Sequence, residues 1–215
     1  MFNRYLISLT CSIFLFAGCA TSPSIQRGAD ARVNSEGLNY IEHTVMDEAW
    51  IKLDANFSQY SKMMIVGTAP QFSSVNESEA RTTKFAELAV EEFRKALIDM
   101  KGYELTSELG TDVLLMHGAI RNIELFEEAA GNSRTAVYVN ELGSAELIIE
   151  LRDSLTGELI LIASDEAKIG TNPGGMERAT EQTTWSAVRR QLASWATLLR
   201  NRLDALSSYN LGESA

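Results

Sequence analysis

The stretch SAELIIELRDSLTGELILIASDEAKIG, residues 144–170, decides the fold of this chain. Two apolar runs flank the segment DSLTG, in which Asp153 can accept backbone N–H groups and Gly157 can adopt the positive φ that closes a turn. The stretch therefore predicts a β-hairpin of two antiparallel strands. One face of that hairpin is apolar and needs a cover, at the alternating positions Leu147, Ile149, Leu151, Leu159 and Leu161.

Two amphipathic segments are available as the cover. Residues 81–102 have helical spacing and stop at Gly102, and residues 178–206 carry large apolar side chains at every third or fourth position. The apolar stripe of the second segment consists of Trp185, Val188, Leu192, Trp195, Leu199, Leu203 and Leu206. We interpret its tryptophans as packing residues of a helix–sheet interface, with a ligand-binding stripe as the alternative.

Further strands are predicted from apolar runs at 61–69, 103–107 and 112–127, the last of them bent at Gly118. The order is strand, helix, short strand, three strands and long helix. It predicts an α+β fold, a two-layer sandwich whose mostly antiparallel sheet is covered on one face by two amphipathic helices. We expect one such domain over 39–209 and a disordered tail at 210–215.

The N-terminus concerns location rather than fold. Arg4 precedes a short apolar run that ends in small residues, which is the pattern of a secretory signal peptide. The run is short for a membrane span of ~20 residues, although a transmembrane helix is the alternative. LFAGC at 15–19 resembles a bacterial lipobox, which implies a lipoprotein signal peptide at 1–18 and acylation of Cys19. A flexible tether is then expected at 19–38, where large apolar side chains are few.

Composition narrows the classes of partner. The chain has 19 Lys and Arg against 29 Asp and Glu, a net charge of −10, so it is a poor partner for nucleic acid. Its two cysteines are Cys11, in the predicted signal peptide, and Cys19. With one removed and the other lipidated, we expect neither a disulfide scaffold nor a thiolate metal site.

Motifs of catalysis are missing from the sequence, which has no Gly-x-Ser-x-Gly, no Ser-x-x-Lys and no phosphate-binding glycine loop. The two histidines, His43 and His117, are too few for a zinc site of about four ligands. We expect no enzyme activity, catalytic residue, cofactor or metal. Acidic residues gather in sequence near the irregular segment 128–144, where we expect a solvated rim; they are Glu124, Glu127, Glu128 and Glu141.

The predicted domain resembles the bacterial lipoproteins grouped as domain of unknown function 3313. The resemblance covers about residues 40–206 and is carried by WIKLDANFSQYSKMMIVG (50–67), ELRDSLTGELILIASDEAKIG (150–170) and TTWSAVRRQLASWATLLRNRL (183–203). That family has no assigned activity, so the resemblance implies fold and location rather than mechanism. Ala20 and Thr21 are not the aspartate that commonly retains lipoproteins at the inner membrane, which implies the periplasmic side of the outer membrane.

Three hypotheses of function follow. The first is a lipid-anchored envelope lipoprotein with a non-enzymatic binding or structural role, held to the membrane through acyl chains at Cys19 and supporting an envelope protein partner. The second is a carrier or sensor of an apolar envelope ligand such as a lipid. The third is a hydrolase with an unfamiliar site. A filled core favours the first, a roomy apolar cavity the second, and a cleft of converging carboxylates the third.

Overall fold

The computed structural model of the chain describes residues 23–126, 136–171 and 175–207, and it has an α+β fold. The elements are β1 (Ser24–Ile25), β2 (Asn39–Glu42), β3 (Glu48–Ile51), a 3₁₀ turn (Phe57–Gln59), β4 (Lys62–Gly67), α1 (Glu79–Leu97), β5 (Glu104–Leu105), β6 (Val113–Leu125), β7 (Tyr138–Val139), β8 (Gly143–Asp153), β9 (Leu159–Ile169), β10 (Glu177–Arg178) and α2 (Glu181–Leu206). Eight strands form one sheet in the order β1-β2-β3-β9-β8-β6-β4-β5, and β7 pairs with β10. The large sheet is mostly antiparallel, and β4 pairs in parallel with β5 and β6.

The predicted hairpin is confirmed. Strands β8 and β9 pair antiparallel, and Asp153 Oδ1 accepts the backbone N–H groups of Leu155 at 3.0 Å and Thr156 at 2.8 Å. Gly157 closes the turn with a φ of 73°. Burial alone would raise the pKa of Asp153, but these hydrogen bonds and one from the Tyr60 hydroxyl hold the pKa below its ordinary value. The aspartate therefore stays ionised and holds the turn.

The predicted alternation of inward and outward side chains is confirmed along β8, and it is wrong at one position of β9. Leu147, Ile149 and Leu151 are buried, as is Leu161, which stands opposite Leu151. The register then shifts, so that Leu159 stands opposite Arg152 on the other side of the sheet. An extra residue in one strand makes a β-bulge, and a bulge reverses the alternation beyond it.

Strand β6 also contains an irregularity, but not at the predicted bend. Gly118 pairs in register with Ile149, and the shift lies instead between Arg121 and Glu124, where Asn122 has a φ of 53°. Asparagine is one of the few residues that tolerate this left-handed conformation. Arg121 and Asn122 both donate to the carboxylate of Glu146, at 2.9 and 2.8 Å, which holds the bulge against β8.

Three short N-terminal strands extend the sheet beyond β9. In β3, Ala49 pairs with Ala163 and Ile51 with Leu161, while β2 joins β3 and β1 joins β2. Sequence analysis missed all three strands, which have four residues or fewer. The structure differs here from the expected flexible tether, because β1 is paired and Leu38 is buried.

Both helices begin at side-chain caps. Ser78 caps α1 by accepting the N–H of Arg81, and Thr180 forms a capping box with Thr183 at the start of α2. The predicted start of α2 at 178 is therefore early, because residues 177–178 form β10. The predicted apolar stripe is buried up to Leu203, and the buried side chains of both helices and the sheet form one hydrophobic cluster.

An ion-pair network links the two helices. Arg189 Nη1 of α2 lies 3.0 Å from Glu91 Oε1 and 2.9 Å from Glu92 Oε1 of α1, and Lys95 contacts both carboxylates. Hydrogen bonds from Lys95 and Arg189 lower the pKa of Glu91 to about 2. The pair between Arg189 and Glu91 is partly exposed and adds little stability, whereas Glu92 is buried and its contacts with Arg189 and Lys95 give that carboxylate its charged partners.

The conformation of Gly157 gives the first prediction. A Cβ at this position would meet no atom within 4 Å, so Gly157→Ala tests the backbone conformation alone. We expect a loss of about 1–2 kcal/mol in the free energy of unfolding, measured by chemical denaturation, because an alanine resists positive φ. Gly67→Ala is the matched control, since its Cβ is equally free of contacts and its φ is not positive. Equal stability of the two variants would contradict the assignment of the turn.

Candidate functional site

An apolar cavity of about 380 Å³ lies between the sheet and α2. The sheet and the N-terminal segment contribute Pro23, Ile25, Ile41, Thr44, Met46, Ile51, Leu147, Ile149, Leu151, Leu161 and Ala163. The helix contributes Trp195, Leu198, Leu199, Arg202, Leu203, Ala205 and Leu206. Sites for small molecules commonly have volumes of ~300–1,000 Å³ and mostly apolar walls, and this cavity has both properties.

Small side chains at the junction of β3 and β9 help to leave this space open. Ala49 pairs with Ala163 across the two strands, and both are buried. The next inward pair along the same strands, Ile51 and Leu161, is large. Backbone hydrogen bonds fix the distance between neighbouring strands. The strands therefore cannot move together to fill the space that two neighbouring alanines leave. Ala163 thus forms part of the cavity wall.

One wall of the cavity is fixed by a hydrogen bond between α2 and β9. The indole Nε1 of Trp195 donates to Asp165 Oδ2 at 2.7 Å, and the Trp195 side chain is 2% exposed. Asp165 is half-buried and stands opposite Leu147, so it belongs to the inward face of β9. A hydrogen bond to a carboxylate is stronger than one between neutral groups. It holds the indole ring in one orientation beside the cavity.

The two tryptophans of the predicted stripe have different surroundings. Both are buried, which supports the packing interpretation, but Trp195 also borders the cavity. Trp185 is not among the cavity residues, and Lys84 Nζ lies 4.5 Å from the centre of its ring. Trp195 is therefore a packing residue that also forms part of the cavity wall. Sequence analysis missed Asp165, whose signal is an acidic residue at an inward position two residues after Ala163.

The acidic residues singled out from the sequence do not converge in the described part of the chain. Glu124 and Glu141 are exposed beside an open depression of about 260 Å³, and Glu141 pairs with Lys168 at 3.0 Å. Glu127 and Glu128 lie outside the described residues. Carboxylates exposed in this way do not form the buried pair that acid–base catalysis uses.

The two histidines and Cys19 are the remaining residues singled out from the sequence. His43 is exposed and His117 is half-buried on β6. Within residues 23–126, 136–171 and 175–207, no three His, Cys, Asp or Glu side chains are grouped so that they could hold a metal ion. No helix in these ranges is long and apolar enough to cross a membrane. Cys19, the predicted lipidation site, lies outside the described residues.

Comparison with known proteins leaves the family open. No protein-family model matches the sequence, so the resemblance to domain of unknown function 3313 stays a prediction. No curated protein matches it either.

Several solved structures resemble the chain weakly. The PelC dodecamer from Paraburkholderia phytofirmans is 14% identical, with 66% of this chain and 89% of that chain covered and a TM-score of 0.35. A homolog of the neuraminyllactose-binding hemagglutinin from Helicobacter pylori is 15% identical, with coverages of 72% and 90% and a TM-score of 0.33. A Caulobacter crescentus CB15 protein described as a lipoprotein is 14% identical, with coverages of 72% and 95% and a TM-score of 0.33. Similarity at this level carries no inference about function.

Removal of the Trp195 ring gives the second prediction. Trp195→Ala deletes a buried aromatic side chain and its hydrogen bond, so we expect a loss of about 3–5 kcal/mol in the free energy of unfolding by chemical denaturation. Arg200→Ala on the same helix is the control. Arg200 donates to its sequence neighbour Asn201 at 3.1 Å, so the effect of its loss should stay within about 0.5 kcal/mol. A fully stable Trp195→Ala protein would show that the ring does not pack.

Proposed function

We propose that this chain is a lipid-anchored lipoprotein of the cell envelope that binds an apolar ligand, such as a lipid, in the cavity between its sheet and α2. The observation that carries the proposal is the cavity itself, whose volume of about 380 Å³ is enclosed mainly by Leu, Ile and Ala side chains. Such an interior favours a carrier or sensor over a protein whose core is completely filled.

The proposal includes the two-layer arrangement of the domain. Inward residues of β8 and β9 face the same cavity as one side of α2, which supports a sheet covered on this face by helices. The ion pairs of Arg189 with α1 support a second helix beside α2 in the same layer. A ligand would then enter between the sheet and the helices.

We further propose that the role is non-enzymatic. An apolar wall offers a ligand few groups that could act as acid, base or nucleophile. Asp165 is the carboxylate nearest to Ala163 along β9. It accepts the hydrogen bond of Trp195 and therefore has a structural role. The cavity residues are suited to holding an apolar molecule, not to transforming it.

The position of the cavity relative to the anchor supports uptake from a membrane. Pro23 borders the cavity, and Cys19 precedes it by four residues. Four extended residues span at most ~14 Å, so an acylated Cys19 would keep the cavity close to the bilayer surface. We place the anchor in the periplasmic leaflet of the outer membrane, because Ala20 and Thr21 follow the cysteine.

The anchor itself gives the third prediction. Cys19→Ser removes the sulfur that would take the diacylglycerol, so we expect an unprocessed precursor that no longer fractionates as an acylated outer-membrane protein. Radiolabelled palmitate incorporation and membrane fractionation measure this. Cys11→Ser is the matched control and should be labelled normally, because Cys11 lies within the predicted signal peptide. Normal maturation and palmitate labelling of Cys19→Ser would contradict the anchor hypothesis.

Filling the cavity gives the fourth prediction. Ala163→Leu adds three carbon atoms to the cavity wall, so we expect at least about tenfold weaker binding of an apolar probe, with unchanged or higher thermal stability. Binding is measured as quenching of Trp195 fluorescence by ω-brominated dodecanol, using the full chain in neutral phosphatidylcholine vesicles and Trp195→Phe to identify the signal.

The control for this experiment is Ala167→Leu. Ala167 lies on the same side of β9 but does not border the cavity, so this variant should bind the probe like the unmodified chain. Equal quenching of the unmodified chain and Ala163→Leu would show that the probe does not enter the cavity.

A further inference from the structure

We infer that the ligand of this cavity is a single-chain amphiphile with an anionic oxygen head, either a carboxylate or a phosphate, whose head lies at Arg202 and Thr44. The inference rests on the proposed function, because it names the ligand class for the same cavity. Arg202 and Thr44 are polar residues in the otherwise largely apolar wall of the cavity.

The guanidinium of Arg202 is the charged group of the cavity wall. Arg202 is an exposed residue of α2 that borders the cavity together with Leu199 and Leu203. Among the described residues it has neither a carboxylate nor a hydrogen-bond acceptor as partner. This differs from Arg189 of the same helix, which pairs with two glutamates. A cation beside an apolar opening attracts a ligand that carries the opposite charge at the end of its apolar part.

Thr44 supplies a second donor. Its Oγ1 accepts the backbone N–H of Met46 at 3.2 Å, which leaves the hydroxyl proton to be donated. Among the described residues this proton has no acceptor. The indole N–H of Trp195, the other polar group of the wall, already donates to Asp165. The unused groups are therefore both donors, and an oxyanion accepts from both, whereas an ammonium head accepts from neither.

The volume of the cavity limits the apolar part of the ligand. About 380 Å³ lies near the lower end of the ~300–1,000 Å³ found for small-molecule sites, which suits one aliphatic chain better than several. The wall at Leu147, Ile149 and Leu151 is aliphatic, which suits contact with the methylene groups of a chain. Burial of methylene groups supplies affinity, and the head group supplies orientation.

The test compares head groups on one chain length. The full chain in neutral phosphatidylcholine vesicles is titrated with ω-brominated dodecanoate, dodecyl phosphate, dodecanol and dodecyltrimethylammonium, and quenching of Trp195 is measured. Arg202→Gln is compared with Arg190→Gln, an exposed arginine of the same helix that does not border the cavity. Partitioning of each probe into the vesicles is common to both variants and cancels in the comparison.

We expect Arg202→Gln to weaken binding of dodecanoate or dodecyl phosphate about tenfold and to leave dodecanol unchanged, while Arg190→Gln changes neither. Arg202→Lys keeps the charge and should retain most of the affinity. Thr44→Val should weaken the anions about threefold. Dodecyltrimethylammonium should bind most weakly to the unmodified chain. Matching unfolding curves of the two glutamine variants exclude a folding defect.

Two results would overturn the inference, and the first of them would leave the proposed function standing. One is dodecanol bound with the same affinity as the anions in the unmodified chain, with no selective loss in Arg202→Gln. The other is quenching seen in Cys19→Ser but not in the acylated chain, which would identify the acyl chains of Cys19 as the occupant. If no probe quenched Trp195 in either the acylated chain or Cys19→Ser, the proposed function would be overturned as well.

Discussion

Backbone hydrogen bonding between β8 and β9 fixes the centre of the sheet, and the other elements are positioned from it. The ionised Asp153 and the positive φ of Gly157 hold the turn, and the paired strands then offer one free edge each. Strand β3 adds to the edge of β9 and β6 to the edge of β8. The other six strands of the large sheet extend outward from these two. A one-residue change of register in the hairpin would move the inward side chains of one of its strands to the wrong face.

The cavity arises because packing between the hairpin and α2 is incomplete at one place. Large side chains seal the interface where Leu and Ile face the helix, whereas Ala163 and its partner Ala49 leave space. Atoms around an empty apolar space lose attractive contacts, which lowers stability. The bond from Trp195 to Asp165 works against collapse into that space, because it holds the largest side chain of the wall in place. A ligand that fills the space would stabilise the folded chain by its own binding.

The parts of the fold that the sequence predicts are those set by local chemistry. The DSLTG turn and the stripe from Trp185 to Leu203 depend on residues close together in the chain, and both are confirmed. The positions of Leu159 and the bend of β6 were wrong, because bulges arise from pairing between distant strands. Strands β1 to β3 were missed because they are short and depend on β9 for their hydrogen bonds. The cavity depends on the side-chain volumes of residues from several elements, so no single stretch of sequence predicts it. Lipidation of Cys19 stays a prediction.

The large sheet ends on both sides in strands of two residues, β1 and β5. An exposed sheet edge is a template on which another chain can add a strand, and the strength of such an association grows with the number of backbone bonds available. Edges of this length offer very few. The short terminal strands therefore limit growth into open-ended, fibre-like assemblies, while the middle strands remain long enough to build a stable domain.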